Sequence, residues 1–237
     1  LKIIFSGSSV MRLKEENPVL AGLVDSYNLR GFSFREYLNL MASTHFPSYS
    51  LSDIITNHRA IAQEICAQVN PLDYFPGYLH HGYYPFFLDK LATSAPCTPN
   101  VSQLSKDIQI SRATVMNYIK SLKDARLINM LYRVGEEFPK KPAMVYMHNT
   151  NIIYSNRSVQ ADPQSIRETF FYNTLHKDHR LNMGSKNAQF LVNRELLFRI
   201  QGSVPRSRIN PHFYYAVDDL KIGSENLIPL WLFGFVY

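Results

Sequence analysis

The 237-residue sequence has only two cysteines, Cys66 and Cys97. Two thiols cannot staple a chain of this length, which excludes a disulfide scaffold. Neither has the neighbours of a zinc site or a CxxC redox pair. No stretch approaches the ~18 consecutive apolar residues of a membrane span. No internal repeat is present, and the ten glycines follow no period, which excludes a solenoid or a collagen-like chain. No glycine is followed by lysine, so the phosphate-gripping loop GxxxxGK[ST] is missing. The opening run Leu1-Lys2-Ile3-Ile4-Phe5 has no basic leader or cleavage site, so it is not a signal peptide. What remains is 46% hydrophobic and 19% charged, enough apolar surface to bury a real core. Composition therefore predicts a soluble, reduced, cytoplasmic protein, with no membrane partner and either one large domain or two to three small ones.

The first five residues read as a strand, and a buried strand needs neighbours on both sides. Two expectations follow. The chain is a fragment of a longer protein, or a protein partner completes the sheet by pairing with this N-terminal strand. The net charge of +6 is concentrated in two zones. Residues 101–141 carry eight basic and four acidic side chains, and residues 177–210 carry seven and two. Such zones attract phosphate backbones through counterion release; the plainer alternative is a solvated surface.

Helical patterns run through residues 10–40, with Ser33 and Glu36 spaced as a capping box. Residues 44–52 read as a loop. Ile54, Ile55, His58, Ile61, Ala62 and Ile65 recur at helical spacing over residues 53–68, and Pro71 is expected to stop that helix. Residues 72–90 are dense in aromatics, with a break expected at Gly82 and Pro85. His80-His81 has no third ligand nearby and reads as a histidine pair, not a metal site. Ala95-Pro96-Cys97-Thr98-Pro99 reads as a linker and a domain boundary.

Residues 100–135 carry the clearest local pattern. Asn100 or Ser102 is expected to cap a first helix containing Val101, Leu104 and Ile108. Ser111 is expected to cap a second, Arg112 to Ala125, with Val115, Ile119 and Leu122 on its apolar face. An extended segment from Leu127 turns at Gly135 and returns through Met144-Val145-Tyr146. Helix, turn, helix and hairpin make a winged helix-turn-helix. Arg112, Thr114, Asn117 and Lys120 fall off the apolar stripe of the second helix. Arginine and asparagine read base edges and lysine meets phosphate, so double-stranded DNA is the candidate partner. A winged helix that only packs against a neighbour is the other reading.

Residues 143–237 read as α+β. A helix is expected from Pro163 to His176, and a hairpin from Phe190-Leu191-Val192 and Leu196-Leu197-Phe198-Arg199-Ile200 around Asn193-Arg194-Glu195. A strand is expected at Tyr214–Val217, ending at Asp218-Asp219. The closing run, Ile228 to Tyr237, is apolar enough that it must dock on a core.

Several runs together resemble one family. They are Phe5-Ser6-Gly7-Ser8-Ser9, Gly31-Phe32-Ser33-Phe34-Arg35-Glu36-Tyr37-Leu38, Gly82-Tyr83-Tyr84-Pro85 and Ile110-Ser111-Arg112-Ala113-Thr114-Val115. His148-Asn149-Thr150-Asn151, Ile166-Arg167-Glu168-Thr169-Phe170-Phe171 and Ile228-Pro229-Leu230-Trp231-Leu232-Phe233-Gly234 follow. In order and spacing the chain resembles the C-terminal part of bacterial and archaeal AAA-type ATP-binding proteins with an appended domain of unknown function. The resemblance implies three units. Residues 1–94 would be a remnant of the ATPase core and helical lid, 95–142 a winged helix-turn-helix, and 143–237 a mixed α/β domain similar to the PD-(D/E)XK nuclease fold. Ser6 would occupy the nucleotide-sensing position of the core.

The departures from that family bear on activity. Without the phosphate loop or the acidic Mg²⁺-binding run, no nucleotide cofactor is expected for this chain alone. ATP binding would return if a longer gene product supplied an upstream phosphate-loop region. Where the family often shows Leu-Ser-Arg-Arg the chain has Leu20-Ala21-Gly22-Leu23. The nuclease-like pattern of Gly-Asp-Phe-Leu and Phe-Glu-Val is replaced by Ala188-Gln189-Phe190-Leu191 and Phe198-Arg199-Ile200. Only Glu168 keeps its carboxylate, and one carboxylate does not hold a catalytic Mg²⁺. No catalytic residue and no metal site are expected. Arg199, Arg206 and Arg208, with Arg194, lie where a face that no longer cuts would still hold a nucleic-acid backbone; drift of a remnant explains the same exchange.

Overall fold

The structure, a computed structural model, describes residues 32–79, 101–107, 111–154, 162–185, 187–206 and 209–236. The expected opening strand, with Ser6 and the edge it would offer a partner, lies outside them. So do His80-His81, the Gly82 and Pro85 break, the 95–99 boundary and Arg208.

Local capping chemistry sets the first helices. α1 (Phe34–Ala42) begins at the expected capping box: Ser33 Oγ accepts the Glu36 N–H at 3.1 Å, and the Glu36 carboxylate accepts the Ser33 N–H at 2.9 Å. α2 (Leu51–Gln68) starts inside the segment expected to be a loop, because Ser50 and Asp53 form a second box. That helix ends at Gln68, ahead of Pro71 as expected, and Pro71 then opens the next one. It is the first residue of α3 (Pro71–Gly77), where its missing N–H costs nothing and its fixed φ fits. α4 (Val101–Asp107) places Ser102 inside the helix, not at its cap. α5 (Arg112–Asp124) follows Ser111, whose Oγ accepts the Thr114 N–H at 3.1 Å, as expected of a cap.

β1 (Ile128–Leu131) and β2 (Met144–Met147) form the expected antiparallel hairpin, with Ile128 opposite Met147. Gly135 in the connecting loop has φ +78°, which glycine adopts without strain. Val115, Met116 and Ile119 of α5 pack on Ile128 and Met130 in a small core of their own.

α6 (Thr150–Tyr154) and α7 (Pro163–Leu175) precede a five-stranded sheet. Its strands are β3 (Leu181–Met183), β4 (Phe190–Val192), β5 (Leu196–Gln201), β6 (Tyr214–Val217) and β7 (Leu227–Pro229), in that spatial order. β3, β4 and β5 run antiparallel; β5, β6 and β7 run parallel. The architecture is therefore mixed α+β. At the β4–β5 turn Asn193 and Arg194 take φ +53° and +65°. Asn193 is suited to this, and its Oδ1 also accepts the Arg180 N–H at 3.0 Å.

The main core lies between α7 and one face of the sheet. The Phe171 ring sits 5.2 Å from Phe190 and 5.0 Å from Phe198. The apolar C-terminal run docks here as a 3₁₀ helix (Leu230–Phe235), fully buried along its length. Phe34 of α1 reaches into the same cluster, 5.0 Å from Phe75 and 6.0 Å from Phe235. One continuous core thus joins residues on both sides of position 95.

The hairpin is tied to this body. Tyr172 Oη donates to the Met130 carbonyl at 3.1 Å, and the Met183 N–H donates to the Tyr132 carbonyl at 2.8 Å. The second bond occupies part of the β3 edge that would otherwise offer free backbone groups.

Candidate functional site

Two places carry the residues singled out from the sequence. The first is the outward face of α5. Its inner stripe is spent on the hairpin, which leaves Arg112, Ala113, Asn117 and Lys120 exposed. Thr114 is half-buried, and its Oγ1 lies 2.8 Å from Ser111 Oγ, so it belongs to the cap. Lys120 sits 5.8 Å from the centre of the Phe138 ring in the hairpin loop and 3.6 Å from Asp124. Arg112 and Asn117 have no hydrogen-bond or ion-pair partner among the described residues. Arg133, Lys140 and Lys141 stand exposed on the loop between β1 and β2. One side of the hairpin is used for packing, while the face of α5 meets no other element among the described residues.

The second place surrounds Glu168 on α7. Its Oε1 accepts the Gln164 amide at 2.9 Å and its Oε2 accepts the Tyr146 hydroxyl at 3.0 Å. The same Gln164 nitrogen donates to the Ile200 carbonyl at 2.9 Å. Gln189 pairs its amide with the backbone of Ile200, accepting its N–H at 3.0 Å and donating to its carbonyl at 3.5 Å. Burial pushes the Glu168 carboxyl above its ordinary range, against the pull of these donors.

This arrangement does not fit a divalent cation. Glu168 is the lone carboxylate of the network, and both its oxygens already accept hydrogen bonds. The Gln189 amide is engaged by the Ile200 backbone and by Glu168 itself. Among the described residues no three His, Cys, Asp or Glu side chains converge.

Arg199 does not face Glu168. Phe198 and Ile200 point to α7, so the residue between them points to the other side of the sheet. There its guanidinium lies 5.7 Å from the centre of the Tyr215 ring. Arg194 is exposed in the β4–β5 turn. Among the described residues, the second basic zone is therefore not gathered into one surface around Glu168.

Arg206 does border the site. It closes an open cleft of about 530 Å³ whose wall includes Gln164, Gln189, Gln201 and Ser203. Gly202 in that wall leaves room for the Arg167 guanidinium, since a Cβ there would lie 2.9 Å from its Cζ. Arg167 in turn donates to Asp218 at 2.8 Å, so its charge is answered. Tyr146, Gln164 and Gln201 were not visible as site residues in the sequence. The one available signal was Gln164, a turn before Glu168 on the same helix face.

No protein-family model matches the chain, and no curated protein or solved structure does.

The raised Glu168 carboxyl has a measurable consequence. Between the ordinary carboxylate pKa and the raised one, the folded chain holds a proton that the unfolded chain has lost. Stability therefore falls as pH rises through that window. Glu168→Gln removes the titration, and the Tyr146 hydroxyl can turn to accept from the new amide. The variant is expected to melt above the native protein at pH 7, with the difference gone by about pH 4. Thermal melts across that range check it; a lower midpoint for the variant at pH 7 contradicts the proposed burial cost.

Proposed function

We propose that this chain is a non-catalytic relative of AAA-type ATP-binding proteins that binds double-stranded DNA through a winged helix-turn-helix formed by α4, α5 and the β1–β2 hairpin, beside a PD-(D/E)XK-like domain without a metal-binding set. One observation carries the reading. The face of α5 turned from its core presents Arg112 and Asn117, without side-chain partners among the described residues, beside Lys120, while the hairpin is tied to α7 and β3. A recognition helix needs free side chains on a fixed platform. Gln189 beside Glu168, where the resemblance implies a second carboxylate, supports the non-catalytic half.

Fluorescence anisotropy with a labelled duplex tests it. Affinity is expected to fall linearly in log–log against salt, with a slope of about −0.9 per phosphate contacted. Combined Arg112→Ala, Asn117→Ala and Lys120→Ala is expected to weaken binding roughly tenfold or more, the loss of ~1–3 kcal/mol that one good base contact supplies. No salt-dependent binding at low ionic strength overturns the proposal.

A further inference from the structure

The cleft beside Gln164 is separate from the α5 face and makes a chemical offer of its own. Both hydrogens of the Gln164 amide are spent, on Glu168 and on the Ile200 carbonyl, so its oxygen is the group left to meet a ligand. The Gln201 amide has no partner among the described residues and can both donate and accept. Ser203 adds an exposed hydroxyl. Val204 and Pro205 add an apolar wall, Val204 being 44% exposed. Arg206 is exposed without an ion-pair partner among the described residues, and it supplies the cleft's one uncompensated charge. The nearby α7 N-terminus is already taken by Asp162, which accepts the Ser165 N–H at 2.9 Å.

We infer that this cleft binds a nucleotide unit, with the base edge on the Gln164 and Gln201 carboxamides and the phosphate on Arg206. An amide that donates and accepts side by side matches an amino-bearing base edge, as glutamine matches adenine. The volume is ample for one nucleotide. A peptide is the poorer fit, because extended peptides bind by adding to a free strand edge. β4 covers β5 over Leu196–Phe198, and beyond it the Gln189 and Gln164 side chains occupy the N–H and carbonyl that Ile200 would offer a peptide. The nucleotide arrives free or as the end of a DNA strand, and both present the same groups.

Calorimetric titration of the full chain with AMP, CMP, UMP and inorganic phosphate tests this, alongside anisotropy of a short single strand with and without a 5′-phosphate. AMP or CMP is expected to bind tenfold or more tightly than UMP and phosphate. Gln201→Ala and Arg206→Ala are each expected to lose tenfold or more, while Arg112→Ala changes nothing here. Both variants alter half-buried or exposed side chains, and a melt confirms that they fold. A phosphorylated strand end that binds better than CMP assigns the site to DNA ends; the reverse assigns it to free nucleotide. No binding at millimolar AMP and CMP, equal binding of phosphate alone, or affinity unmoved by both variants overturns the inference. Because α5 is untouched, these results fail or succeed independently of duplex binding.

Discussion

Replacing Trp231 by alanine is expected to cost about 3–5 kcal/mol, the range for deleting a buried aromatic side chain. Trp231 is the single tryptophan of the chain and is fully buried. Its ring lies 6.4 Å from Phe34 of α1 and 5.8 Å from Phe235, so it joins the α1 helix to the C-terminal run. Its indole Nε1 also donates to the Leu220 carbonyl at 3.1 Å, which fixes the connection between β6 and β7. Removing the ring opens a cavity where these elements meet, and Phe34 and Phe235 cannot close it without moving backbone. At ~2–4 °C per kcal/mol, the melting midpoint is expected to drop by roughly 10 °C. Trp231→Phe keeps most of the volume and loses the indole donor, so it is expected to cost about 1–2 kcal/mol. Circular dichroism melts separate the two. Equal, small effects from both would mean that the helices and the sheet do not share this core.

The elements that were legible in the sequence are those set by neighbours along the chain. Ser33 with Glu36, Ser111 before α5, and the β4–β5 hairpin around Asn193 all depend on side chains within a few residues of one another. The same chemistry went unread at Ser50 and Asp53, where Pro47 and three serines suggested only a loop. β3 and β7 were missed because each has three residues, too few for a period to show, and neither has the tight-turn signal that marked the equally short β4. They are strands by virtue of partners: Met183 opposite Phe190, and Ala216 opposite Ile228. Pro71 was ambiguous in principle, since proline ends one helix and opens the next with equal ease.

The site divides in the same way. Glu168 and Gln189 stood out as residue types, but their relation is tertiary. Tyr146 comes from the hairpin and Ile200 from β5, so the network exists only once those elements meet α7. The side of the sheet taken by Arg199 was readable. Phe198 and Ile200 alternate with it, and strand alternation sends it away from any group that Phe198 faces. Position in a basic stretch of sequence is a weaker guide than parity along a strand.

Acid is expected to weaken this fold through His148. The imidazole is buried at the end of β2, where its Nδ1 lies 3.3 Å from Asn129 Oδ1 and its ring meets His176 edge-on at 6.0 Å. Burial, with the charges of His176 and Arg126 behind it, lowers its pKa to about 4. An unfolded histidine titrates near 6.5. Between those values the unfolded chain takes up a proton that the folded chain refuses, so stability falls as pH drops through the window and levels off below it. The span corresponds to a loss of about 3 kcal/mol, complete near pH 4 and absent above pH 7. His58 and His179, both lowered by burial, add in the same sense, and Glu168 acts against them. The difference between the native protein and His148→Gln isolates the one group, because glutamine can still meet Asn129 but does not titrate. Denaturant unfolding read by Trp231 fluorescence at pH 7, 5.5 and 4 is expected to show the native protein losing ground on the variant at each step. Parallel curves would mean that His148 takes up its proton as readily in the fold as in the unfolded chain. Since His148 lies where the hairpin meets α7, the first structural sign of acid should be the release of that hairpin, seen as loss of protection at the Met183 amide, whose bond to Tyr132 holds the two together.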